Sequence, residues 1–484
     1  MTLPSYGVSL GMQQIANEFS SGTVYPMNQY YAGGSYVPSG TNGYPSGGSA
    51  TPIPTSGTIT INNFYGSAKS TAVRWEYAFE GITGADSYYN TINTVGVDTT
   101  GNSYATGFAA GNTSSNNISG LWVKISPSGS ILAANRLTSA QNYQVVAGAT
   151  APSGNTYVAM AQSVTYAGNT YILKIDSSGN IVWEYSIINN QPQFLGFVVA
   201  PSSENIYFLT FNTVPLSIFL TKVNSSGSVQ WSQEIYHDPN ILQNSSTLSL
   251  DASENVSVLV AANNSTHGAA WYYLIYNSSG TQTTAQYYYT SASGSTSGIA
   301  GGRYSFNTYS YIDSSTNLYL CLPLTTSGGQ TQVYVTKYGV WNYTFNLPAY
   351  GTINGMTVDS SGNTYLAYAS RNYALSIIVI NAAGTSFTQY VAGAYQDNFS
   401  YGIQVLSNGQ ILIGSNTTTT GYFYQAGLSQ NFTALGTPEV TTGSLTLTAG
   451  TGSALYTSVS LSWSSSSFIS TNSTLYVSTI ATLP

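Results

Sequence analysis

Charge is what this sequence has least of. Only 5% of its 484 residues are Asp, Glu, Lys or Arg, against about 25% in an average soluble domain. Nine basic residues stand against sixteen acidic ones, for a net charge of −7 at pH 7. The basic ones (Lys69, Arg74, Lys124, Arg136, Lys174, Lys222, Arg303, Lys337 and Arg371) are scattered along the chain. Nucleic-acid binding needs clustered cations that displace counterions, so this distribution argues against it. One cysteine, Cys321, excludes an intramolecular disulfide framework and a cysteine-rich metal site. No apolar run reaches 18 residues, so no membrane span is expected. The start "MTLPSYGVSLGMQQ" lacks the basic head and apolar centre of a signal peptide. Release by lysis fits such a chain better than secretion.

What fills the chain instead is Ser, Thr, Asn, Gln, Gly and 42 tyrosines, with 42% hydrophobic residues overall. That apolar content offsets the entropy of ordering, so disorder is not expected. Its β-branched and aromatic character suits half-buried pleated surfaces, which makes the expected fold class all-β.

A phrase of about 50 residues recurs after residue 90. It reads "VGVDTTGNSYATGF" at 95–108, "AGATAPSGNTYVAMA" at 147–161 and "FVVAPSSENIYFLTF" at 197–211, and continues at 248–261, 309–324, 356–369 and 403–414. Each copy alternates, turns through Asp, Ser, Gly or Asn, and alternates again, as a β-hairpin does. A second phrase interleaves with it, as in "YILKIDSSGNIVWEYSI" at 171 and "FLTKVNSSGSVQWSQEI" at 219. Two hairpins per unit give four strands, and seven units at this period predict a seven-bladed β-propeller, with six or eight blades as alternatives. A closed ring also avoids the exposed edges of an open array.

Closure has its own signal. Trp183, Trp231 and Trp341 share one position on the outer hairpin, and "AVRWEYAFEG" at 72–81 puts Trp75 there before any inner hairpin appears. An orphan fourth strand of this kind completes the last blade with the start of the chain. A weak strand at 432–435 then makes a fifth strand on the last blade, or residues 437–484 supply an eighth blade. The expected division is 1–71 as a docking segment, 72–436 as the propeller and 437–484 as a β-rich tail.

The head segment differs in kind. "SLGMQQIANEF" places Leu10, Ile15 and Phe19 near one face of a short helix capped by Ser9, and a Tyr-, Gly- and Pro-punctuated loop follows. "IPTSGTITINNFYG" at 53–66 then reads as a strand ended by an aromatic pair. One helix, a loop and a strand make too little core to fold alone, so the segment is expected to dock on another chain. The succession "LPSYGVSLGMQQIANEF", "MNQYYAGGSYVP" and "IPTSGTITINNFYG" resembles the modular N-terminal segment of tail-fibre and other virion structural proteins of tailed bacteriophages, above all phages of cyanobacteria and aquatic bacteria. The insert "SGTNGYPSGGSAT" at 39–51 departs from that pattern. The resemblance implies a virion location, other virion proteins as partners and a homo-oligomer, with Ile59, Ile61, Phe64 and Tyr65 as the docking residues.

The candidate chemical groups read as structure. His237 sits beside Asp238 in "YHDPN", yet neighbours on a strand point to opposite faces and the phrase also makes an ordinary turn. Asp98, Asp176, Asp251, Asp313 and Asp359 mostly open "DSSGN"-type turns, where an Asp side chain accepts backbone N–H bonds; the calcium-loop spacing is absent. Lys124, Lys174 and Lys222 recur five residues before Gly129, Gly179 and Gly227, which suits stems lying along a neighbouring blade. Cys321 in "LYLCLPL" reads as a buried small hydrophobe. Neither a catalytic set nor a cofactor or metal site is expected. Tyrosine clusters offer a contact surface instead, with Tyr287, Tyr288, Tyr289, Tyr304, Tyr309 and Tyr311 as the candidates, because such rings stack on sugars and proteins at low entropic cost. The expected function is a non-enzymatic tail fibre, spike or decoration that presents a propeller to host-surface glycan or protein. A bacterial extracellular adhesin and a polysaccharide depolymerase are the alternatives.

Overall fold

Most described hairpins of the repeat turn by the same local device. Asp98 N–H donates to Asn102 O at 3.0 Å, Gly101 N–H donates to Asp98 O at 3.0 Å, and Gly101 has φ of 83°. This is the three-residue hairpin loop, a type I turn closed by a left-handed residue, which glycine adopts without a Cβ penalty. The Asp98 carboxylate fixes it further, accepting N–H bonds from Thr100 and Asn102, both at 2.9 Å. Asp251, Asp313 and Asp359 repeat the pattern in other inner hairpins. The expected Asx-turns are therefore present, and Asn224 and Asn277 do the same work uncharged in outer hairpins.

The computed structural model describes residues 75–79, most of 91–427 and seven short strands between 432 and 479, with a helix and a few residues nearer the start. Its contacts divide the chain into two units, Met1–Val73 and Arg74–Pro484. Among the described residues the second unit forms seven five-stranded antiparallel sheets. It is a seven-bladed β-propeller. Blade 1 comprises Thr91–Val97, Ser103–Ala110, Ile118–Ile125 and Ile131–Thr138, from the innermost strand outward, and blades 2 to 6 follow in chain order. Blade 7 is built from Phe399–Val405, Gln410–Asn416 and Gly421–Gly427, with Trp75–Phe79 as its fourth strand. The innermost strands contact one another in sequence round the ring, and Phe399–Val405 meets Thr91–Val97. Six of the seven innermost strands carry a register shift, the bulge that sharpens local twist.

Closure follows the expected route. Trp75 pairs with Gln425 as Trp183 pairs with Lys174, so the orphan strand occupies the place its tryptophan indicated. Tyr77 is buried in the apolar cluster between blades 7 and 1, and its hydroxyl donates to Gly129 O of blade 1. Each of the other six blade interfaces likewise has its own buried cluster, as with Tyr207, Leu220 and Val258 between blades 3 and 4.

The tail departs from expectation. Among the described residues, those after 431 form neither a fifth strand on blade 7 at 432–435 nor the inner strands of an eighth blade. Phe432–Ala434 pairs with the outer strand of blade 6 instead. Thr441–Thr442, Leu447–Thr451, Thr457–Ser458, Trp463–Ser465 and Ile469–Asn472 then pair with blades 5, 4, 3, 2 and 1 in that order. Val477–Thr479 ends the circuit on Trp75–Phe79 of blade 7. The tail is thus a belt that runs backwards round the rim and gives every blade a fifth strand. An outer strand presents unpaired N–H and C=O groups, and any alternating segment that reaches it can satisfy them.

In the first unit Met12–Phe19 is helical, as the sequence predicts, with Ile15 and Ala16 buried. Asn42–Gly43 pairs with Thr51–Pro52. Tyr30 and Phe64 are also buried, with their rings edge to face at 6.2 Å.

Candidate functional site

The charged side chains converge between blades, on the end of the propeller that carries the hairpin turns. Lys124, Lys174, Lys222 and Lys337 lie over the rings of Tyr104, Tyr157, Tyr207 and Tyr319, with Nζ 5.1–5.5 Å from each centroid. The first three also donate to an outer-turn carbonyl of the next blade: Ser177 O at 2.9 Å, Ser225 O at 3.3 Å and Ser278 O at 3.1 Å. The lysines are thus structural fasteners, as their regular spacing suggests.

Two carboxylates extend this system in a way the sequence reading missed. Glu204 and Glu254 occupy the left-handed turn position with φ of 56° and 60°, where other inner turns carry Gly101, Gly154 or Gly362. Each reaches back to the preceding blade. Glu204 accepts from Asn155, from Tyr157 at 2.8 Å and from Lys174 at 3.1 Å. Glu254 does the same with Asn205, Tyr207 and Lys222. Blades 2 and 3, which receive these carboxylates, begin their own turns with Ala151 and Ala200. Blades 1, 5 and 6 begin theirs with Asp98, Asp313 and Asp359, whose Oδ2 accepts from the turn asparagine and the tyrosine of the same blade. The Asn–Tyr pair therefore receives one carboxylate, either from within the blade or from the next. Gly154 is consistent with this rule, because a Cβ there would collide with the Tyr104 hydroxyl already held by Asp98. The signal was legible as "PSSEN" and "ASEN" after turns that lack aspartate.

These networks set the acid response. Partial burial works against ionisation of Glu204, but hydrogen bonds from Ser153, Asn155, Tyr157 and Lys174 outweigh it and lower its pKa from 4.5 to about 2. Glu254 is likewise lowered to about 2, with Ser203, Tyr207, Asn205 and Lys222 outweighing partial burial. Both folded values lie below the unfolded ones, so the stabilisation is present above pH about 4.5 and is lost as the pH falls toward 2. With solvent screening, each is expected to contribute about 1–2 kcal/mol. Glu204→Gln with Glu254→Gln should flatten the acid limb of a urea-unfolding series between pH about 5 and 2.5. An unchanged limb would show that neither carboxylate carries it.

The remaining sequence candidates fall as follows. Cys321 is fully buried and burial pushes its thiol pKa up, as befits a core residue. His237 ends an outer strand, with its backbone paired to Ser217. Among the described residues no three His, Cys, Asp or Glu side chains group as metal ligands. Tyr309 and Tyr311 are half-buried and packed against the cluster between blades 5 and 6. Tyr287, Tyr288 and Tyr289 lie on Gln282–Thr290, whose backbone is paired on both sides. Phe64 is buried, while Ile59, Ile61, Tyr65 and Tyr304 lie outside the described residues.

An opening lies in the interblade packing of the described residues. A cleft of about 330 Å³ lies on the face of blade 5 that meets blade 4, floored by Leu320, Leu322, Tyr334 and Thr336. Its mouth is formed by the turn Tyr338, Gly339 and Val340, and the Tyr338 hydroxyl donates to Gln286 Oε1 of blade 4 at 3.1 Å.

No protein-family model and no curated protein sequence matches the chain. Solved structures are similar to parts of it at low identity. The β-propeller domain of the Trilobed protease from Pyrococcus furiosus is 10% identical over 70% of this chain and 99% of its own, with a TM-score of 0.41. Saccharomyces cerevisiae Sqt1 is 9% identical over 72% and 86%, with a TM-score of 0.42. A puromycin hydrolase is 11% identical over 76% of this chain but only 56% of its own, with a TM-score of 0.45.

Proposed function

We propose that the chain is a non-enzymatic virion protein of a tailed phage. In this reading it is a tail-fibre, spike or decoration subunit that holds its propeller toward host-surface glycan or protein and docks on neighbouring virion proteins through residues 1–71. The observation that carries the non-enzymatic part is how the described carboxylates are used. Asp98, Asp313, Asp359, Glu204 and Glu254 are all bonded within turns or across blade interfaces. A general acid or base needs a carboxylate free to exchange a proton with substrate. The virion placement rests on the ordered resemblance of the head segment, and the belt suits a rigid body displayed outside a cell because it covers each blade's outer edge.

Particles assembled with the full-length chain are expected to contain it, and particles assembled with a chain starting at residue 72 are expected to lack it. Mass spectrometry of purified particles reads this directly, and normal incorporation of the shortened chain would end the docking assignment. Incubation with host polysaccharide should leave its length distribution unchanged; shortened polysaccharide would make the chain a depolymerase.

A further inference from the structure

Three blade interfaces are filled by the same side chain. Trp183, Trp231 and Trp341, on the fourth strands of blades 2, 3 and 5, lie against the outer-turn glycine of the following blade, Gly227, Gly280 or Gly384. Each indole donates Nε1–H to a carbonyl of that turn: Ser225 O at 3.0 Å, Ser278 O at 3.1 Å and Ala382 O at 3.1 Å. These tryptophans face Lys174, Lys222 and Lys337 across the strand pair; the corresponding pairings are Lys124 with Ala133 on blade 1, Ile275 with Thr284 on blade 4 and Val379 with Thr388 on blade 6. Blade 4 therefore presents a threonine where an indole would sit. The outer-turn glycine of blade 5 is correspondingly bare: no atom of the described residues lies within 4 Å of a Cβ built at Gly339. The 330 Å³ cleft lies at that place, and Val340 and Tyr338 at its mouth are 64% and 44% exposed.

We propose that this cleft is a docking site for an aromatic side chain, above all a tryptophan, carried by a partner polypeptide. Three equivalent seats in this chain are occupied by an indole from a passing strand, so the occupant's shape and chemistry are already represented in the fold. The floor of Leu320, Leu322 and Tyr334 selects a flat apolar ring with one polar edge. A sugar ring would place hydroxyls against Leu320 and Leu322, where they lose their water partners and gain none from those two side chains. The volume accommodates one bicyclic ring and is at the small end of ligand sites. The inference stands on blade geometry alone and does not depend on the virion reading.

The probe is N-acetyl-tryptophanamide, with methyl glucoside as comparison, each at millimolar concentration with the full-length protein in ligand-observed saturation-transfer NMR. The wild-type chain is expected to transfer magnetisation to the tryptophan probe and not to the glucoside. Val340→Glu, a change at an exposed position, is expected to reduce the transfer at least about fivefold without altering the melt. Thr284→Trp fills the seat from within, so it should abolish transfer and raise the midpoint of thermal unfolding. Transfer to the glucoside alone, transfer to neither probe, or transfer that survives Val340→Glu overturns the proposal. So does a Thr284→Trp variant with a lowered midpoint, because the cleft would then not be the equivalent seat.

Discussion

Truncation after Gly427 is expected to lower the melting temperature and drive the protein into edge-to-edge assemblies that the full-length chain does not form. The reason lies in the rim. Each of the seven blades ends in a fourth strand whose outer backbone groups pair with a segment of the belt, and truncation removes every one of those segments. Unpaired outer edges are templates for pairing with another chain, and proteins commonly guard them with lysine, proline or bulges. This chain has nine Lys and Arg in 484 residues, too few to guard seven rims by charge, and it covers them instead. Sedimentation velocity and a thermal melt of the two chains measure the effect. A truncated chain that sediments and melts as the full-length one does would mean that the belt contributes neither stability nor protection.

The second large effect concerns ring closure. A chain starting at residue 72 should retain the propeller's cooperative unfolding, whereas one starting at residue 81 should lose it or melt far lower. Those nine residues include Trp75–Phe79, which pairs with Gly421–Gly427 on one side and with the last belt strand on the other. They also include Tyr77, which completes the apolar cluster between blades 7 and 1. Deleting a buried aromatic of this kind costs about 3–5 kcal/mol, before the lost strand pairing is counted. Tyr77→Phe keeps the ring closed and removes the hydroxyl with its bond to Gly129 O, a loss of about 1 kcal/mol. Differential scanning calorimetry of the three chains separates closure from a local contact. Equal transitions for the starts at 72 and 81 would show that another element closes the ring.

Much of this was legible from residue types alone. Repeating "D-S-S-G-N" phrases mark hairpins because glycine takes the left-handed turn position and aspartate collects the turn's N–H groups, both properties of a few adjacent residues. Trp75 revealed its partner blade because it stands where Trp183, Trp231 and Trp341 stand in complete units. The blade-to-blade use of Glu204 and Glu254 was written in the turns but became readable only when successive blades could be superimposed. Thr284 has no meaning without the three tryptophans it replaces.

The route of the tail was beyond the sequence. Alternating Ser, Thr and apolar residues specify that a strand forms, since that depends on the segment's own backbone and side-chain period. They do not specify its partner, because the outer edges of the seven blades offer nearly the same row of backbone donors and acceptors. Residue order alone determined the repeated strands, the hairpins and the strand that closes the ring, and left the number of blades between six and eight. The tertiary structure decided the reversed path of the belt and the cleft left beside Gly339, because each depends on which edges and faces the closed ring leaves open.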